Sequence, residues 1–189
     1  MGLKSLLQRF IKSENPYQKY TKKIPPNTID PDWIKYTGVT MNQEFISIKT
    51  YSGYGMGVAD PTVPEWRFPP DVADAELGQA VKEAVNKSRA LTYEESNKLG
   101  EDSEKRYHEW VDQIKKLYGY KTKRAMFEGM KSCSVNLKDE KLIFRPSNHE
   151  TLEGWTGEGI SKDDYVILPE DCTDEEAGAA LRLAFSRCI

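Results

Sequence analysis

The feature that most constrains the fold of this chain is a helical segment that is repeated, with several identical residues, one hundred residues further along. Residues 68–89, FPPDVADAELGQAVKEAVNKSR, correspond to residues 168–187, LPEDCTDEEAGAALRLAFSR. Identical residues in the two copies include Pro69 and Pro169, Asp74 and Asp174, Glu76 and Glu176, Gly78 and Gly178, Ala80 and Ala180, and Ala84 and Ala184. An internal echo of this length predicts two related structural units in one chain.

Both copies have the apolar spacing of a helix with one buried face. The apolar positions recur at i, i+3, i+4, i+7 and i+8, which predicts helices at about 75–89 and 174–187. They are Leu77, Ala80, Val81, Ala84 and Val85 in the first copy and Ala177, Ala180, Leu181, Ala184 and Phe185 in the second. Thr173 and Glu176 have the spacing of a capping box at the start of the second helix.

A glycine-rich and aromatic segment precedes each helix, SGYGMGV at 52–58 and EGWTGEGI at 153–160. Each follows strand-like sequence, at 44–51 in the first unit and at 131–137 and 141–146 in the second. A phosphate-binding loop is not favoured at Gly53, Gly55 and Gly57, because it would have to lead directly into a helix and prolines follow instead. We interpret both segments as turns that permit positive φ and close backbone approach.

These patterns predict an α+β fold: a single domain with an antiparallel or mixed β-sheet, flanking helices and two related strand-turn-helix units. A chain of 189 residues is long enough for one sizeable core. We expect the domain to span 1–189, with an N-terminal amphipathic helix and linker at 1–30, a first unit at 36–90, a helical insert at 91–119 and a second unit at 120–189. The insert contains a capping box, Thr92 with Glu95, and an apolar stripe that predicts a helix at 104–118.

The N-terminal segment is not expected to be a signal peptide, since charged residues interrupt its apolar positions. We expect a helix docked on the core, in preference to a membrane-surface helix, because its apolar face is short. The three cysteines, Cys133, Cys172 and Cys188, are widely spaced and odd in number, which favours reduced thiols and a cytoplasmic location. The two histidines, His108 and His149, do not cluster with the cysteines at a ligand spacing. No metal, cofactor or catalytic residue is therefore predicted.

Charge is distributed unevenly along the chain. Between Glu150 and Glu176 there are ten acidic residues and a single base, Lys162, whereas bases concentrate at 4–23 and 115–131. The acids form either a solvated face or a surface that attracts a basic protein partner. Trp155 lies within this stretch, and an exposed tryptophan there would favour an interface.

Two other classes of function stay open on these patterns. One is an enzyme whose active site is assembled from distant residues, which would need a deep pocket with convergent polar groups. The other is a nucleic-acid-binding module that uses the basic 115–131 segment, although a net charge of −3 does not favour it.

Several strings resemble one family of bacterial contact-dependent growth inhibition immunity proteins, called CdiI. They are SGYGMGVADPTVPEWRFPPDVADAELGQAV at 52–81, YGYKTKRAMFEGMKSC at 118–133, HETLEGWTGEGIS at 149–161 and GAALRLAFSRC at 178–188. The resemblance covers about Tyr36 to Cys188 and leaves the N-terminal segment outside.

The resemblance implies a small cytoplasmic protein, not an enzyme, that binds and neutralises the C-terminal toxin domain of its matching CdiA protein. Such toxins are often nucleases, including EndoU-type RNases. Because a nuclease is basic where it holds its substrate, we expect its inhibitor to be acidic at the contact. No nucleic acid and no membrane are expected as partners. The predicted toxin-binding residues are Glu150, Glu153, Trp155, Glu158, Asp163 and Asp164.

Overall fold

A seven-stranded antiparallel sheet lies at the centre of the protein in a computed structural model, which describes residues 24–189. The sheet has the order β3-β2-β1-β5-β6-β9, and β4 pairs with β2 on the same side as β3. A separate hairpin is formed by β7 and β8. The strands are β1 Lys35–Met41, β2 Ile46–Tyr54, β3 Met56–Ala59, β4 Trp66–Phe68, β5 Lys131–Lys138, β6 Lys141–Pro146, β7 Asn148–Thr151, β8 Gly154–Thr156 and β9 Val166–Pro169.

Helices cover both faces of this sheet. They are α1 Asp74–Asn86, α2 Tyr93–Gly100, α3 Ser103–Tyr118, α4 Lys123–Phe127 and α5 Asp174–Ser186, and a 3-10 turn spans Lys162–Asp164. The α+β prediction is confirmed, with the sheet antiparallel rather than mixed. The three predicted helices at 75–89, 104–118 and 174–187 correspond to α1, α3 and α5, and α1 ends three residues earlier than predicted.

Helices α1 and α5 pack side by side on one face, which we call the helix-pair face. Alternate residues of the central strands point towards them, including Val39, Ile48, Val135 and Phe144, and all four are fully buried. The two apolar stripes predicted from the sequence supply the helical half of this core. Because strand side chains alternate between faces, the intervening residues of the same strands point to the opposite side.

The contact between α1 and α5 is reciprocal. Gly78 lies against the backbone of Asp174, and Gly178 lies against the backbone of Asp74, so closely that neither position has space for a Cβ. Lys82 donates to the Cys172 carbonyl at 2.6 Å, while the Arg182 guanidinium donates to the Asp74 carboxylate at 2.6 Å and to the carbonyls of residues 70 and 72. Equivalent positions of the two copies thus contact each other in both directions.

The two halves of the sheet have corresponding strands in the same order from the centre to the edge. The central pair is β1 and β5, the next strands are β2 and β6, and the outer ones are β4 and β9. This order agrees with two related units. The unit boundaries at 36–90, 91–119 and 120–189 stay a prediction, which a superposition of residues 45–89 on 132–187 would test.

The opposite face of the sheet is covered by α3, α4 and the β7–β8 hairpin. Its buried cluster contains Phe45, Val111, Ile114, Met126, Phe127 and Met130. Phe45 stacks on Tyr118 with ring centroids 4.9 Å apart, which joins the loop before β2 to the end of α3. We call this side the mixed face, because charged and aromatic side chains line it together.

The glycine run forms a tight hairpin between β2 and β3. Gly53 and Gly57 lie opposite each other in the two strands, and Gly55 at the turn has a φ of +67°. A Cβ on Gly57 would lie 2.7 Å from the Tyr36 hydroxyl and 2.8 Å from the Trp33 ring, so the backbone approaches closely there. The predicted turn is confirmed, and these glycines do not lead into a helix.

Several elements were not predicted from the sequence, namely β1, β3, β4, α4, β9 and the β7–β8 hairpin. The second glycine segment, interpreted as a turn, contains β8 instead, and its positive φ is at Gly159. The predicted N-terminal amphipathic helix falls mainly on residues 1–23, outside the described residues. Within residues 24–189, no helix is long and apolar enough to cross a membrane.

Candidate functional site

The predicted acidic residues lie on the β7–β8 hairpin and on the loop that follows it. Glu150 is on β7, Glu153 is at the hairpin turn, Glu158 follows β8, and Asp163 is in the 3-10 turn. Glu150, Glu158 and Asp163 are exposed and form no ion pair within residues 24–189. We call these three residues the free acids.

Glu153 is held by two side chains from the helices of the mixed face. Its carboxylate lies 2.7 Å from the Lys123 ammonium of α4 and accepts a hydrogen bond from the Tyr107 hydroxyl of α3. These hydrogen bonds, that of Lys123 first, hold the pKa of Glu153 below its ordinary value. Burial and the bond to Glu153 raise the pKa of Tyr107. Glu153 therefore fastens the hairpin to the two helices.

Asp164 also has a local structural role. Its carboxylate accepts hydrogen bonds from the backbone N–H and the hydroxyl of Ser161, each at 2.8 Å. The backbone bond first, and then the hydroxyl, lower the pKa of Asp164. Ser161 in turn caps the 3-10 turn by accepting a bond from the Asp163 N–H. Asp164 thus stabilises the turn that carries Asp163.

Trp155 is not the freely exposed aromatic residue that the sequence suggested. It is half-buried, and its indole donates a hydrogen bond of 3.1 Å to the Met130 carbonyl. Its ring stacks on His149 with centroids 4.8 Å apart and also contacts Phe127. The reason is that α4, which the sequence did not reveal, brings Phe127 beneath the hairpin. Trp155 therefore contributes to the core of the mixed face.

A cavity of about 660 Å³ lies beside this hairpin, between β2, β3 and α3. Lys49, Tyr51, Glu65, Arg106 and Trp110 are among its lining residues. A smaller space of about 140 Å³ shares Lys49 and Trp110 with it and is also bordered by Glu153 and Trp155. The hairpin, α3 and the cavity are thus parts of one continuous surface region.

Charges in the cavity are arranged around the Trp110 ring. The Lys49 ammonium lies 3.4 Å from the ring centroid, and the indole N–H donates to the Glu65 carboxylate at 2.8 Å. Burial lowers the pKa of Lys49 to about 8, although the Glu65 charge acts in the opposite direction. Sequence reasoning missed Lys49 because a polar residue in an alternating strand usually faces solvent. Here α3 covers that face.

The remaining candidate chemistry concerns metal-binding side chains, thiols and histidines. Within residues 24–189, no group of three or more His, Cys, Asp or Glu side chains is placed to hold a metal ion. The three cysteines are free thiols, and burial raises the pKa of each of them. His149 contacts the Leu152 carbonyl at 3.1 Å, and His108 is exposed on α3.

Comparison with known proteins identifies the family. The family model of the CDI immunity protein, CdiI, matches residues 35–188. This chain therefore belongs to the CdiI family of CDI immunity proteins. It is 39% identical over 167 residues to the immunity protein CdiI-YPIII from Yersinia pseudotuberculosis serotype O:3 (strain YPIII), an alignment that covers 81% of this chain and 94% of that relative.

Two solved structures have the same fold. A chain in a CdiA-CT/CdiI toxin and immunity complex from Yersinia pseudotuberculosis matches with a TM-score of 0.76 at 36% identity, covering 86% of this chain and all of that one. A protein of unknown function from Neisseria meningitidis matches with a TM-score of 0.76 at 35% identity, covering 86% of this chain and 99% of that one. The resemblance noted in the sequence is confirmed.

Proposed function

We propose that this protein binds the C-terminal toxin domain of its cognate CdiA protein and neutralises it in the cytoplasm. The observation that carries the proposal is the match to a complete chain of a CdiA-CT/CdiI toxin and immunity complex, at 36% identity. The two chains also share the fold, with a TM-score of 0.76. The proposed role is that of an inhibitor and not of an enzyme.

We further propose that the toxin is a nuclease and that it contacts the mixed face. The predicted toxin-binding residues divide into two groups on the hairpin that covers this face and on the loop that follows the hairpin. The free acids Glu150, Glu158 and Asp163 are available to pair with basic groups of a partner, whereas Glu153, Trp155 and Asp164 hold the segment in place. A nuclease that binds a polyanion presents basic groups, and acids held in fixed positions complement them.

The nucleic-acid alternative receives less support from the structure. It depended on the basic residues between 115 and 131, and three of these cations already have partners. Lys123 pairs with Glu153 at 2.7 Å, Lys131 donates to the Phe185 carbonyl at 2.9 Å, and Lys115 lies 3.8 Å from Asp112. Three of the six bases in this segment are therefore already engaged within the protein.

Charge reversal with a matched control tests the proposed surface. The test variant carries Glu150→Lys, Glu158→Lys and Asp163→Lys, and the control carries Asp71→Lys, Glu170→Lys and Asp171→Lys, which are exposed acids in the loops before α1 and α5. Both triple variants change the net charge equally. Affinity for the purified cognate toxin domain, measured by surface plasmon resonance, should fall at least about tenfold in the test variant only, mainly through slower association.

Two controls make the result decisive. Circular dichroism melts must show that both variants keep the thermal stability of the parent protein. A survival assay then asks whether each variant protects cells that express the toxin, with protection expected to weaken first in the test variant. Equal affinities for the two variants would show that the toxin does not contact the free acids. Failure of the parent protein itself to bind the toxin would overturn the proposed function.

A further inference from the structure

Lys49 is a half-buried cation that lies against an aromatic ring. Its side chain projects from β2 into the mixed face and lies over the Trp110 ring, at 3.4 Å from the centroid. Within residues 24–189, its ammonium forms no hydrogen bond and no ion pair. An ammonium has three donors, and the face of an aromatic ring satisfies none of them fully. The amine therefore has unused capacity towards the cavity that it lines.

The two carboxylates of the cavity are already engaged. Asp60 accepts hydrogen bonds from the Arg89 guanidinium at 2.6 Å and from the Thr62 hydroxyl at 2.7 Å. Burial alone would raise the pKa of Asp60, but the bonds from Thr62 and Arg89 outweigh burial and lower this pKa to about 2. Glu65 accepts from the Trp110 indole, and Arg67 lies 3.3 Å from its other oxygen. Neither acid is therefore free to turn towards Lys49 without breaking existing bonds.

Arg106 adds a second cation to the same cavity. One guanidinium nitrogen donates to the Leu99 carbonyl at 2.6 Å, which fixes the side chain beside α3 and leaves its other N–H groups available. The cavity therefore contains two cations that have unused hydrogen-bond donors, although the net charge of the chain is −3. A low-dielectric cavity strengthens the attraction of such cations for a negative group.

We propose that this cavity is a binding site for an anionic group, a carboxylate or a phosphate, held by Lys49 with Arg106 as the second cation. A volume of about 660 Å³ accommodates such a group together with a small apolar body against Trp110. The anion has two possible sources, a side chain of the bound toxin or a free small molecule. The first source rests on the proposed function, and the second does not.

The experiment compares Lys49→Met with Lys116→Met. Methionine retains the apolar contact with Trp110 and removes only the charge, and Lys116 is an exposed lysine on α3 that serves as the matched control. The Trp110 indole N–H resonance of ¹⁵N-labelled protein is followed during titration with sodium acetate and with inorganic phosphate, against sodium chloride at equal ionic strength. The affinity of each variant for the toxin domain is then measured separately.

If a free anion is the ligand, acetate or phosphate should shift the Trp110 resonance with a Kd on the order of 1 mM, as expected for a fragment-sized ion. The shift should disappear in Lys49→Met and persist in Lys116→Met. If a toxin carboxylate is the ligand, Lys49→Met should weaken toxin binding at least about tenfold while Lys116→Met stays within about twofold of the parent.

The proposed function and the anion site can be refuted independently of each other. A parent protein that binds no toxin but shows the Lys49-dependent shift would overturn the proposed function and support the anion site. A parent protein that binds the toxin, with no anion-induced shift and with equal affinity in Lys49→Met, would overturn the anion site alone. Thermal melts of both variants exclude unfolding as the cause of any loss.

Discussion

The two faces of the sheet are built on different principles. On the helix-pair face, α1 and α5 bury apolar stripes against the strands, and each copy of the echoed segment binds the other through equivalent residues. On the mixed face, aromatic rings from α3, α4 and β8 pack together. Lys49, which has no ion pair within residues 24–189, lies over one of these rings beside the cavity. On the first face the two helices satisfy each other's polar groups, whereas on the second the Lys49 charge has no partner among residues 24–189.

From this difference we infer which face a partner would use. The helix-pair face is occupied by its own helices, so a partner would have to displace core packing to reach the strands there. The mixed face offers the hairpin, which carries Glu150, and the cavity beside it. Variants that break the helix-pair face should therefore affect stability, and variants of the free acids and of Lys49 should affect binding.

The largest effect is expected where α1 crosses α5. In Gly78→Ala, the new Cβ would overlap the Asp174 carbonyl, which is backbone and cannot turn aside. Separating the two helices would cost about 3 kcal/mol or more of the free energy of unfolding, at the upper end of overpacking effects. Urea unfolding followed by circular dichroism measures this change.

Gly100→Ala is the control for helix propensity, because Gly100 ends α2 in open space. There the same substitution should stabilise the protein slightly, by up to about 1 kcal/mol. An equal and small effect at both glycines would show that α1 and α5 are not in tight contact.

The next largest effect is expected at Arg182, which joins the second copy of the repeated segment to the first. Arg182→Met removes the donors to the Asp74 carboxylate and to the carbonyls of Pro70 and Val72, and we expect it to cost about 2 to 3 kcal/mol of the free energy of unfolding. Lys82→Met removes one carbonyl bond and an ion pair at 3.0 Å, and should cost less. Lys87→Met, in an exposed pair with Glu83, should change stability by under about 0.5 kcal/mol.

Lys49→Met should act in the opposite direction on stability. Below pH 8 the parent protein must bury a charged ammonium on folding, so the variant should be more stable by about 1 to 2 kcal/mol. Between pH 8 and 10.5 the folded parent releases this proton while the unfolded chain still holds it. The unfolded state then binds more protons, and the stability of the parent rises with pH relative to the variant.

Urea unfolding of both proteins from pH 7 to pH 10 tests this linkage. The difference in the free energy of unfolding should be greatest at pH 7 and should narrow as the pH rises above 8. Taking the difference between the two proteins removes the contribution of groups that titrate in both. A difference that stayed constant across this range would show that the Lys49 ammonium is well solvated.

Among the test variants, leaving aside the control Lys87→Met, the smallest effect is expected at the hairpin anchor. Glu153→Gln keeps the shape of the side chain and removes the charge that pairs with Lys123, which should cost under about 1 kcal/mol because both side chains are partly exposed. Amide hydrogen exchange of β7 and β8 is the sensitive measurement, since local opening should increase there before global stability changes. Exchange that did not differ from the parent would mean that Trp155 packing alone fixes the hairpin.

Periodicity and capping residues were sufficient to predict the elements that carry strong local signals. The stripes of α1, α3 and α5 are confirmed, and both predicted capping boxes form, Thr92 with Glu95 and Thr173 with Glu176. Strand β1 was missed because its buried side is made of Thr37 and Val39, which flank a glycine and give little apolar alternation. Helix α4 has only five residues and is stabilised by tertiary packing of Met126 and Phe127.

The candidate site was less predictable, because its geometry depends on contacts between distant segments. The acidic stretch was visible in the sequence, but its division into free and structural acids depends on Tyr107 and Lys123, which come from α3 and α4. Trp155 likewise packs against Phe127, which belongs to α4. Lys49 was hidden because the alternation of β2 does not reveal that a helix covers its polar side.

Amide hydrogen exchange of the protein with and without the cognate toxin domain tests the central claim most directly, namely that the mixed face is the binding face. The account predicts that bound toxin slows exchange in β7, β8, the loop at 157–164 and the first turns of α3. Exchange in α1 and α5 should change little, since those helices already face each other and the core. Strong protection on the outer surfaces of α1 and α5, with none in the hairpin, would contradict the account.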